Sequence, residues 1–175
     1  MADKCRECGS GTLKEGYLFK CLDKDNCRTV FWDKGKVKKS LLGYEKGKAD
    51  WREKMQELLT DACVPKTENE KYVYTIRMKG ELGKRAKRMD GRKVYVGQTG
   101  LHPYERYLNH IVGYKSAKKR ASRLFTALIN FEGPLDKGID PEKREKELSV
   151  ELYKKGWEVH GGLPKKYRDE QKEYD

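Results

Sequence analysis

Four cysteines near the N-terminus could together hold a metal ion. Cys5 and Cys8 form one close pair, and Cys21 and Cys27 form a second pair after a spacer of twelve residues. Two close pairs joined by a short hairpin can direct four thiolates toward one tetrahedral Zn²⁺. Four unrelated thiols in a flexible arm are the alternative, but this spacing favours a structural zinc module. So small a module buries too little apolar surface to fold without its metal.

Two β-rich segments farther along the chain each carry a tyrosine that could take part in hydrolysis. Residues 71–78 alternate around Tyr74, and residues 92–100 place Tyr95 in a second strand that ends in a glycine turn. Taken singly, however, a tyrosine in a strand is more often a packing residue.

A helix is predicted to follow these strands, because Pro103 lacks the N–H that a first helical turn leaves unpaired. Arg106 and His110 lie four residues apart on one face of this helix, roughly opposite its apolar stripe. A guanidinium suits phosphate oxygens, and an imidazole can hold or transfer a proton. The same arrangement also describes any solvated helix face.

The last long helix is predicted from Pro141 to about Lys155 and is rich in acidic residues. Glu145 stands three residues before Leu148 and seven before Leu152, so it lies on the apolar stripe of this helix. An inward-facing carboxylate is costly without a partner. Glu145 therefore stands out among the acidic residues of this helix as the one that needs a partner.

The tyrosine strands resemble the paired strands of the GIY-YIG nuclease superfamily, with Tyr72-Val73-Tyr74 as the first motif and Tyr95-Val96-Gly97 as the second. The similarity covers about residues 71–161 and includes the turn after the second strand, the helix pattern R-x3-H and a helix with a metal-binding glutamate. The matching residues are Gln98-Thr99-Gly100, Arg106, His110, Gly113-Tyr114-Lys115 and Glu145. Two features depart from the family: Tyr72 replaces the usual glycine, and twenty residues separate Tyr74 from Tyr95.

This resemblance implies a metal-dependent endonuclease that hydrolyses DNA phosphodiester bonds. It assigns Tyr74 as the general base, Tyr95 as the residue that orients the water or the phosphate, and Arg106 as the phosphate partner. His110 would act near the leaving group. Glu145 would hold Mg²⁺ or Mn²⁺, which prefer one or two carboxylates together with water and phosphate oxygens.

Tyr74 can act as a base only if its phenol ionises. A free phenol has a pKa near 10. We therefore expect nearby positive charge, from the cation, Lys115 or Arg106, to lower the pKa of Tyr74.

The cysteine module resembles the zinc ribbons of bacterial type I topoisomerases over residues 5–32. Such ribbons bind single-stranded DNA, which implies that Arg28 and neighbouring lysines contact phosphates here. Phe19, Phe31 and Trp32 could stack on bases. They could equally pack the small core of the module, and the sequence leaves both interpretations open.

The chain is strongly basic, with 40 Lys and Arg against 28 Asp and Glu and a net charge of +12. Such a surface attracts polyanions, and nucleic acid is the first candidate. A basic loop separates the two tyrosine strands. We expect this loop to contact DNA through Lys84, Arg85, Lys87 and Arg88, although a merely solvated charged loop has the same composition.

The order of elements indicates an α+β fold. We divide the chain into a zinc ribbon over residues 1–35, a basic linker and helix over 36–68, a nuclease-like domain over 69–163 and a charged tail over 164–175. The nuclease-like domain is predicted to contain a small antiparallel sheet flanked by helices.

Several local predictions complete this scheme. Residues 33–48 are interpreted as a basic linker, and Asp50 is predicted to cap the helix that follows it. Cys63, near the end of that helix, is interpreted as a buried thiol. The apolar run of residues 124–131 is predicted to be a further helix.

No stretch approaches the roughly 18 apolar residues that a membrane span needs, and the N-terminus lacks the apolar core of a signal peptide. A cytoplasmic protein without a membrane partner is therefore the default expectation. The leading hypothesis is an endonuclease acting on single-stranded or branched DNA, for which double-strand cutting would need a dimer or two successive nicks. The alternatives are a zinc-ribbon protein that binds nucleic acid without cutting it and an interaction protein whose ribbon binds other proteins.

Overall fold

The computed structural model describes residues 4–5, 7–23, 27–89, 91–114 and 124–173, except for the side chain of Arg85. Over these residues the fold is mixed α+β. The strands are β1 (Thr12–Glu15), β2 (Leu18–Cys21), β3 (Val30–Trp32), β4 (Tyr72–Met78), β5 (Lys93–Thr99), β6 (Phe125–Glu132) and β7 (Glu158–His160). The helices are α1 (Lys34–Ser40), α2 (Ala49–Asp61), α3 (Lys84–Arg88), α4 (Pro103–Val112), α5 (Pro141–Lys154) and α6 (Lys165–Glu173). None of these described helices is long and apolar enough to cross a membrane.

The seven strands form one sheet in the order β1-β2-β3-β6-β4-β5-β7. The three strands of the cysteine segment join the others where Val30 of β3 pairs with Leu128 of β6. All neighbours are antiparallel except β5 and β7, which run parallel. The expectation of a purely antiparallel sheet is therefore wrong at this edge, because α5 returns the chain so that β7 starts beside the start of β5.

Helices cover both faces of this sheet. Successive strand residues point to opposite faces, so Tyr74 and Ile76 pack against α2 and α4, whereas Val73 packs against α5. Tyr95 lies in the same core as Tyr74, and Val94 and Val96 lie in the core under α5. We call the side that carries Tyr74 and Tyr95 the tyrosine face.

Residues 124–131 are not a helix, as the sequence predicts, but most of strand β6. This strand lies between β3 and β4, and its pairing with β4 runs from Met78–Phe125 to Val73–Glu132. Phe125, Ala127 and Leu128 are almost fully buried. A short apolar run cannot be assigned to helix or strand by periodicity alone, and burial on both faces of a central strand removes the alternation that would have identified it.

The segment before β4 is more ordered than a linker. Helix α1 begins after Asp33, whose carboxylate accepts a hydrogen bond from the Lys36 N–H at 3.0 Å, and it buries Val37. Helix α2 begins two residues earlier than predicted, so Asp50 lies in its first turn and does not cap it. Cys63 is exposed, with a left-handed φ of 49°, because the chain turns away from the core after α2.

Glu158 fastens the loop before α3 to the sheet. Its buried carboxylate accepts hydrogen bonds from Lys93 Nζ at 2.6 Å and from the Gly83 N–H at 2.9 Å, and it lies 2.8 Å from His160 Nε2. Burial alone would raise the pKa of Glu158, but the hydrogen bonds from His160, Lys93 and Gly83 outweigh it and hold the pKa at about 2. The ionised carboxylate is therefore part of the folded structure.

We predict that Glu158→Gln destabilises the protein at neutral pH and not in acid. The folded pKa lies below the ordinary value of 4.5, so the contribution of the carboxylate is complete above pH 4.5 and is lost as the pH falls toward 2. We expect a loss of about 2 kcal/mol at pH 7, measured by urea unfolding, and a smaller difference from wild type at pH 3. Glu53→Gln, at an exposed site on α2, is the control. A loss for Glu158→Gln that is the same at both pH values would contradict the role of its charge.

Candidate active site and metal centre

The four N-terminal cysteines form one group that could hold a metal ion such as zinc. All four sulfur atoms lie within 4.8 Å of one another. Cys5 Sγ lies 3.6 Å from Cys27 Sγ, and Cys8 Sγ lies 3.5 Å from Cys21 Sγ. A tetrahedron with Zn–S bonds of about 2.3 Å has edges of about 3.8 Å, whereas a disulfide would need about 2.05 Å. The spacing thus suits four ligands of one ion and not two disulfides.

Local backbone geometry shapes this cysteine group. Gly9 has a left-handed φ of 77°, which a glycine adopts without strain, and it closes the turn after Cys8 by donating its N–H to the Cys5 carbonyl. Hydrogen bonds from Ser10 lower the pKa of the exposed Cys8 thiol to about 6. Burial raises the pKa of Cys27, which lies 3.1 Å from the Thr29 hydroxyl. The Cys8 thiol therefore ionises readily, whereas the buried Cys27 thiol needs a nearby cation to become a thiolate.

The aromatic residues of this segment pack inside the protein. The rings of Phe19 and Phe31 stack at 4.9 Å and are buried, and Trp32 is fully buried with its Nε1–H donated to the Tyr104 carbonyl at 3.2 Å. The interpretation of these three side chains as a stacking surface for DNA is therefore wrong. The alternative, that they pack a core, is confirmed, and Arg28 remains exposed beside them.

On the tyrosine face, Tyr74 is the centre of a buried polar group. Its hydroxyl lies 2.8 Å from His110 Nε2 and accepts a hydrogen bond from Arg106 Nε at 3.4 Å. Both Tyr74 and His110 are 1% exposed. The interpretation of His110 as part of a solvated helix face is thus wrong, because α4 packs it against the rings of Tyr95 and Phe125.

Gly97 allows the two tyrosines to share this face. It lies opposite Tyr74 in the register of β4 and β5, two residues after Tyr95. A Cβ at Gly97 would lie 2.7 Å from the Tyr74 hydroxyl and 2.9 Å from a ring carbon of Tyr95. The two rings, whose centroids are 6.2 Å apart, occupy the space that any side chain at position 97 would need.

Glu145 approaches the same site from the other layer. It is half-buried on α5, and the chain that follows β7 passes it at Gly162, where a Cβ would lie 2.8 Å from Glu145 Cγ. Burial raises the pKa of Glu145. The charge of Glu145 contributes to raising the pKa of both Tyr74 and Tyr95. The Gly161–Gly162 segment borders both groups, because a Cβ at Gly161 would lie 3.0 Å from Tyr95 Cε2.

The electrostatics of the site differ from the expectation for Tyr74. Burial raises the pKa of Tyr74 above its ordinary value of 10, and the opposing influence of Arg106 is smaller. The expected lowering by Arg106 is present, but burial outweighs it, so the net pKa of Tyr74 is raised and not lowered. Burial, and then the charge of Arg106, lower the pKa of His110 to about 3, so the imidazole is neutral at pH 7.

The structure brings together Tyr74, Tyr95, Arg106 and His110, and Glu145 lies beside the Gly161–Gly162 segment that also borders Tyr95. Lys115 lies outside the described residues. Exposed basic side chains project from α3, although that of Arg85 is also outside the described part. The three exposed ones are Lys84, Lys87 and Arg88.

Sequence reasoning missed His160. It pairs with Tyr95 in the parallel register of β5 and β7, and Glu158 holds its ring at 2.8 Å. A histidine two residues after a glutamate in a predicted strand was the available signal. Only the register of the two strands shows that the pair lies beside Tyr95.

Comparison with protein-family models, with curated proteins and with solved structures gives no match. Function is therefore inferred from the residues and their geometry.

We predict that the purified protein carries one zinc ion and that Cys21→Ser removes it. Because β3 pairs with β6, loss of the metal should weaken the whole sheet and not only the ribbon. We expect the melting temperature to fall by roughly 10 °C or more, which corresponds to about 3 kcal/mol for a chain of this size. Metal analysis and thermal unfolding measure both effects. Cys63→Ser, at an exposed thiol outside the group, should change neither, and full stability without bound metal would contradict the assignment.

We also predict that Gly97→Ala disturbs the tyrosine pair. The added methyl group meets two ring systems in a packed core, and such overpacking costs about 1–3 kcal/mol. Urea unfolding should show this loss. Gly138→Ala, where a Cβ meets nothing within 4 Å among the described residues, is the matched control. Equal stability of the two variants would mean that the space between the tyrosines is not needed.

Proposed function

We propose that the protein is a metal-dependent endonuclease of the GIY-YIG type that hydrolyses DNA phosphodiester bonds and is stabilised by a structural zinc ion. One observation carries this proposal: residues from three separate elements meet around the Tyr74 hydroxyl. Arg106 and His110 from α4 hydrogen-bond to it, and Tyr95 from β5 packs beside it. Packing alone would not require a buried phenol and a buried imidazole beside a half-buried guanidinium at one point.

Glu145 is the residue that would hold the divalent cation. Mg²⁺ binds through one or two carboxylates and keeps several waters and phosphate oxygens. A half-buried carboxylate whose charge raises the pKa of two phenols, and whose own pKa burial raises, gains from such a partner. When bound, the cation would stabilise negative charge on the phosphate and favour ionised groups around it.

His110 lets the Tyr74 phenol change its protonation state. Because the imidazole is neutral, its Nε2 can accept a hydrogen bond from the phenol in one tautomer and donate one to the phenolate in the other, while the phenol proton itself leaves to solvent. The phenolate would then receive two hydrogen bonds, from His110 and from Arg106 Nε. As general base, this phenolate takes a proton from the attacking water and becomes the neutral phenol again, while the hydroxide forms the new P–O bond.

Arg106 and Tyr95 complete the proposed chemistry. The Arg106 guanidinium has a planar fork that matches two phosphate oxygens, and its Nε already points to the base. Tyr95, which is partly exposed, would orient the water or the phosphate by its hydroxyl. The leaving 3′ or 5′ oxygen would take its proton from solvent or from a group near His110.

Positive charge outside the site supports a nucleic-acid substrate. The chain has a net charge of +12, and Lys84, Lys87 and Arg88 project from α3 close to the Glu158 anchor beside Tyr95. Arg28 adds an exposed cation at the ribbon. These groups would bind phosphates of single-stranded or branched DNA without reading its sequence. Two copies, or two successive nicks, would be needed to cut both strands.

A protein that binds nucleic acid without cutting it is the second candidate. The burial of Tyr74 and its raised pKa favour this reading, because a protonated phenol cannot act as a base. Tyr72 also favours the non-catalytic candidate. Its bulky side chain, whose hydroxyl donates a hydrogen bond to Glu70, stands where the nuclease family has glycine. The two candidates differ in one expectation: the endonuclease should cut DNA when a cation binds at Glu145, and the non-catalytic protein should not cut DNA at all.

We predict that the protein nicks supercoiled plasmid in Mg²⁺ and that Arg106→Ala and Glu145→Gln each slow nicking at least about 100-fold. Arg106→Ala removes the phosphate partner and a donor to Tyr74, and Glu145→Gln removes the cation ligand. DNA binding, measured by fluorescence anisotropy, should change little. Glu147→Gln on the exposed side of the same helix and Arg52→Ala on α2 are the controls.

Absence of nicking with Mg²⁺ and Mn²⁺, on plasmid and on branched DNA alike, would favour the non-catalytic candidate. Nicking that survives Glu145→Gln would show that the cutting activity comes from another site or from a contaminant. Loss of binding together with cutting would mean that these residues hold DNA and do not act on it.

A further inference from the structure

A groove lies between the cysteine ribbon and the start of α4, away from the Tyr74 hydroxyl. Its volume is about 370 Å³, within the range of small-molecule binding sites. We call it the ribbon groove, and its walls include Lys20, Arg28, Thr29, Val30, Tyr104 and Phe131. We propose that the ribbon groove binds one unpaired nucleotide of the DNA strand next to the phosphate that is cut. This inference rests on the proposed endonuclease function and names the form of its substrate.

The aromatic walls of the ribbon groove suit a base. Tyr104 and Phe131 are both partly exposed, and their ring centroids are 5.8 Å apart at an interplanar angle of 88°. A flat base can lie against the face of one ring while it meets the edge of the other. Stacking on aromatic side chains tolerates any base, because every base has a π-face.

The ring positions are held firmly. His102 contacts both Tyr104 and Phe131 edge-on, at 4.6 and 5.9 Å between centroids, and its Nδ1 accepts the Tyr104 N–H at 3.3 Å. Lys20 Nζ lies 5.5 Å from the centroid of the Tyr104 ring and pairs with Glu15. A base would therefore enter a preorganised site, which reduces the entropy lost on binding.

Positive charge stands where the phosphate of such a nucleotide would lie. Arg28 is exposed at the wall of the ribbon groove, and no carboxylate of the described residues pairs with it. Its guanidinium can bind two oxygens of one phosphate. The combination of an aromatic wall and an exposed guanidinium matches a nucleotide better than it matches an apolar ligand.

The ribbon groove is a short distance along the sheet and helix α4 from the candidate active site. Phe131 pairs with Tyr74 in the register of β6 and β4, and adjacent strands lie about 4.8 Å apart. Tyr104 is on the same helix as Arg106 and His110. A strand that places one phosphate near Arg106 would thus bring a neighbouring nucleotide to the groove.

The nucleotide must be unpaired, because bases in a duplex already have both faces covered by their neighbours. The ribbon aromatics predicted from the sequence cannot serve instead, since Phe19, Phe31 and Trp32 are buried. Tyr104 and Phe131 therefore replace them as the stacking surface.

The test is a base scan of a short single-stranded oligonucleotide, with each position replaced in turn by an abasic residue. Affinity is measured by fluorescence anisotropy without added Mg²⁺. For the wild-type protein we expect one position at which removal of the base weakens binding roughly five- to 150-fold. Phe131→Leu and Tyr104→Leu should bind the intact and the abasic oligonucleotide equally. Arg28→Ala should weaken both equally and reduce the slope of log K against log salt by about one.

Tyr44→Leu and Arg52→Ala, at an exposed aromatic and an exposed basic position, are the matched controls and should behave as wild type. Thermal unfolding checks that each variant folds. If Phe131→Leu does not fold, the test rests on Tyr104→Leu and Arg28→Ala. A wild-type scan in which no position depends on its base would overturn the proposal. So would variants at Tyr104 and Phe131 that keep the wild-type preference for the intact base.

The outcome is separable from that of the proposed function. If the protein nicks plasmid but its base scan is flat, the ribbon groove does not hold a base and the endonuclease proposal stands. If one base-dependent position appears and is lost in the leucine variants, yet no DNA is cut, the ribbon groove stands and the endonuclease proposal fails.

Discussion

Strand β6 is the connection on which the rest of the molecule depends. On one side it pairs with β3 of the cysteine ribbon, and on the other it runs along the whole of β4. A central strand that lost either neighbour would leave backbone N–H and C=O groups without partners in a buried place, at a cost comparable to the hydrogen bonds themselves. The cysteine group and the tyrosine face therefore belong to one hydrogen-bonded sheet. A folded ribbon stabilises β6, and β6 in turn pairs with β4, which carries Tyr74.

Burial of a polar group is the second constraint. The Tyr74 hydroxyl and the His110 imidazole are almost fully buried and lie within hydrogen-bond distance of each other, and the half-buried Arg106 guanidinium donates to the same hydroxyl. Such a network holds its members in one geometry, which favours a reactive site. Burial also raises the pKa of the phenol against the influence of Arg106, and burial together with the charge of Arg106 keeps the imidazole neutral. Any chemistry at this point thus needs a charge that arrives with the substrate or with a cation.

Glu158 and Glu145 connect the edge of the sheet to the segments around it. Glu158 ties the loop before α3 to β5 and β7, and the glycines after β7 let the chain pass close to Glu145. The edge strand β7 is only three residues long, and α6 reinforces it, since the Gln171 side chain bonds to both the N–H and the carbonyl of Val159. A short and covered edge also resists pairing with other chains.

Many elements could be predicted because their signals are local. The alternation around Tyr74 and Tyr95, the proline that opens α4 and the acidic helix with Glu145 all appear in the structure as predicted strands and helices. The run that became β6 was misassigned, since a strand buried on both faces has no alternation to read. The sequence predicts a buried Cys63 and allows a solvated His110, whereas the structure exposes Cys63 and buries His110. Helical spacing shows which residues share a face and not what that face contacts.

The sequence by itself determined the cysteine pairs, most of the regular elements and the excess of positive charge, because these depend on residues close together in the chain or on composition alone. Only the tertiary structure decided that Gly97 lies opposite Tyr74, that His160 lies beside Tyr95 and that Tyr104 and Phe131 form one groove. Those meetings depend on strand register and on the direction of crossover connections. The same is true of the pKa values, since burial and neighbouring charge exist only once distant segments have packed together.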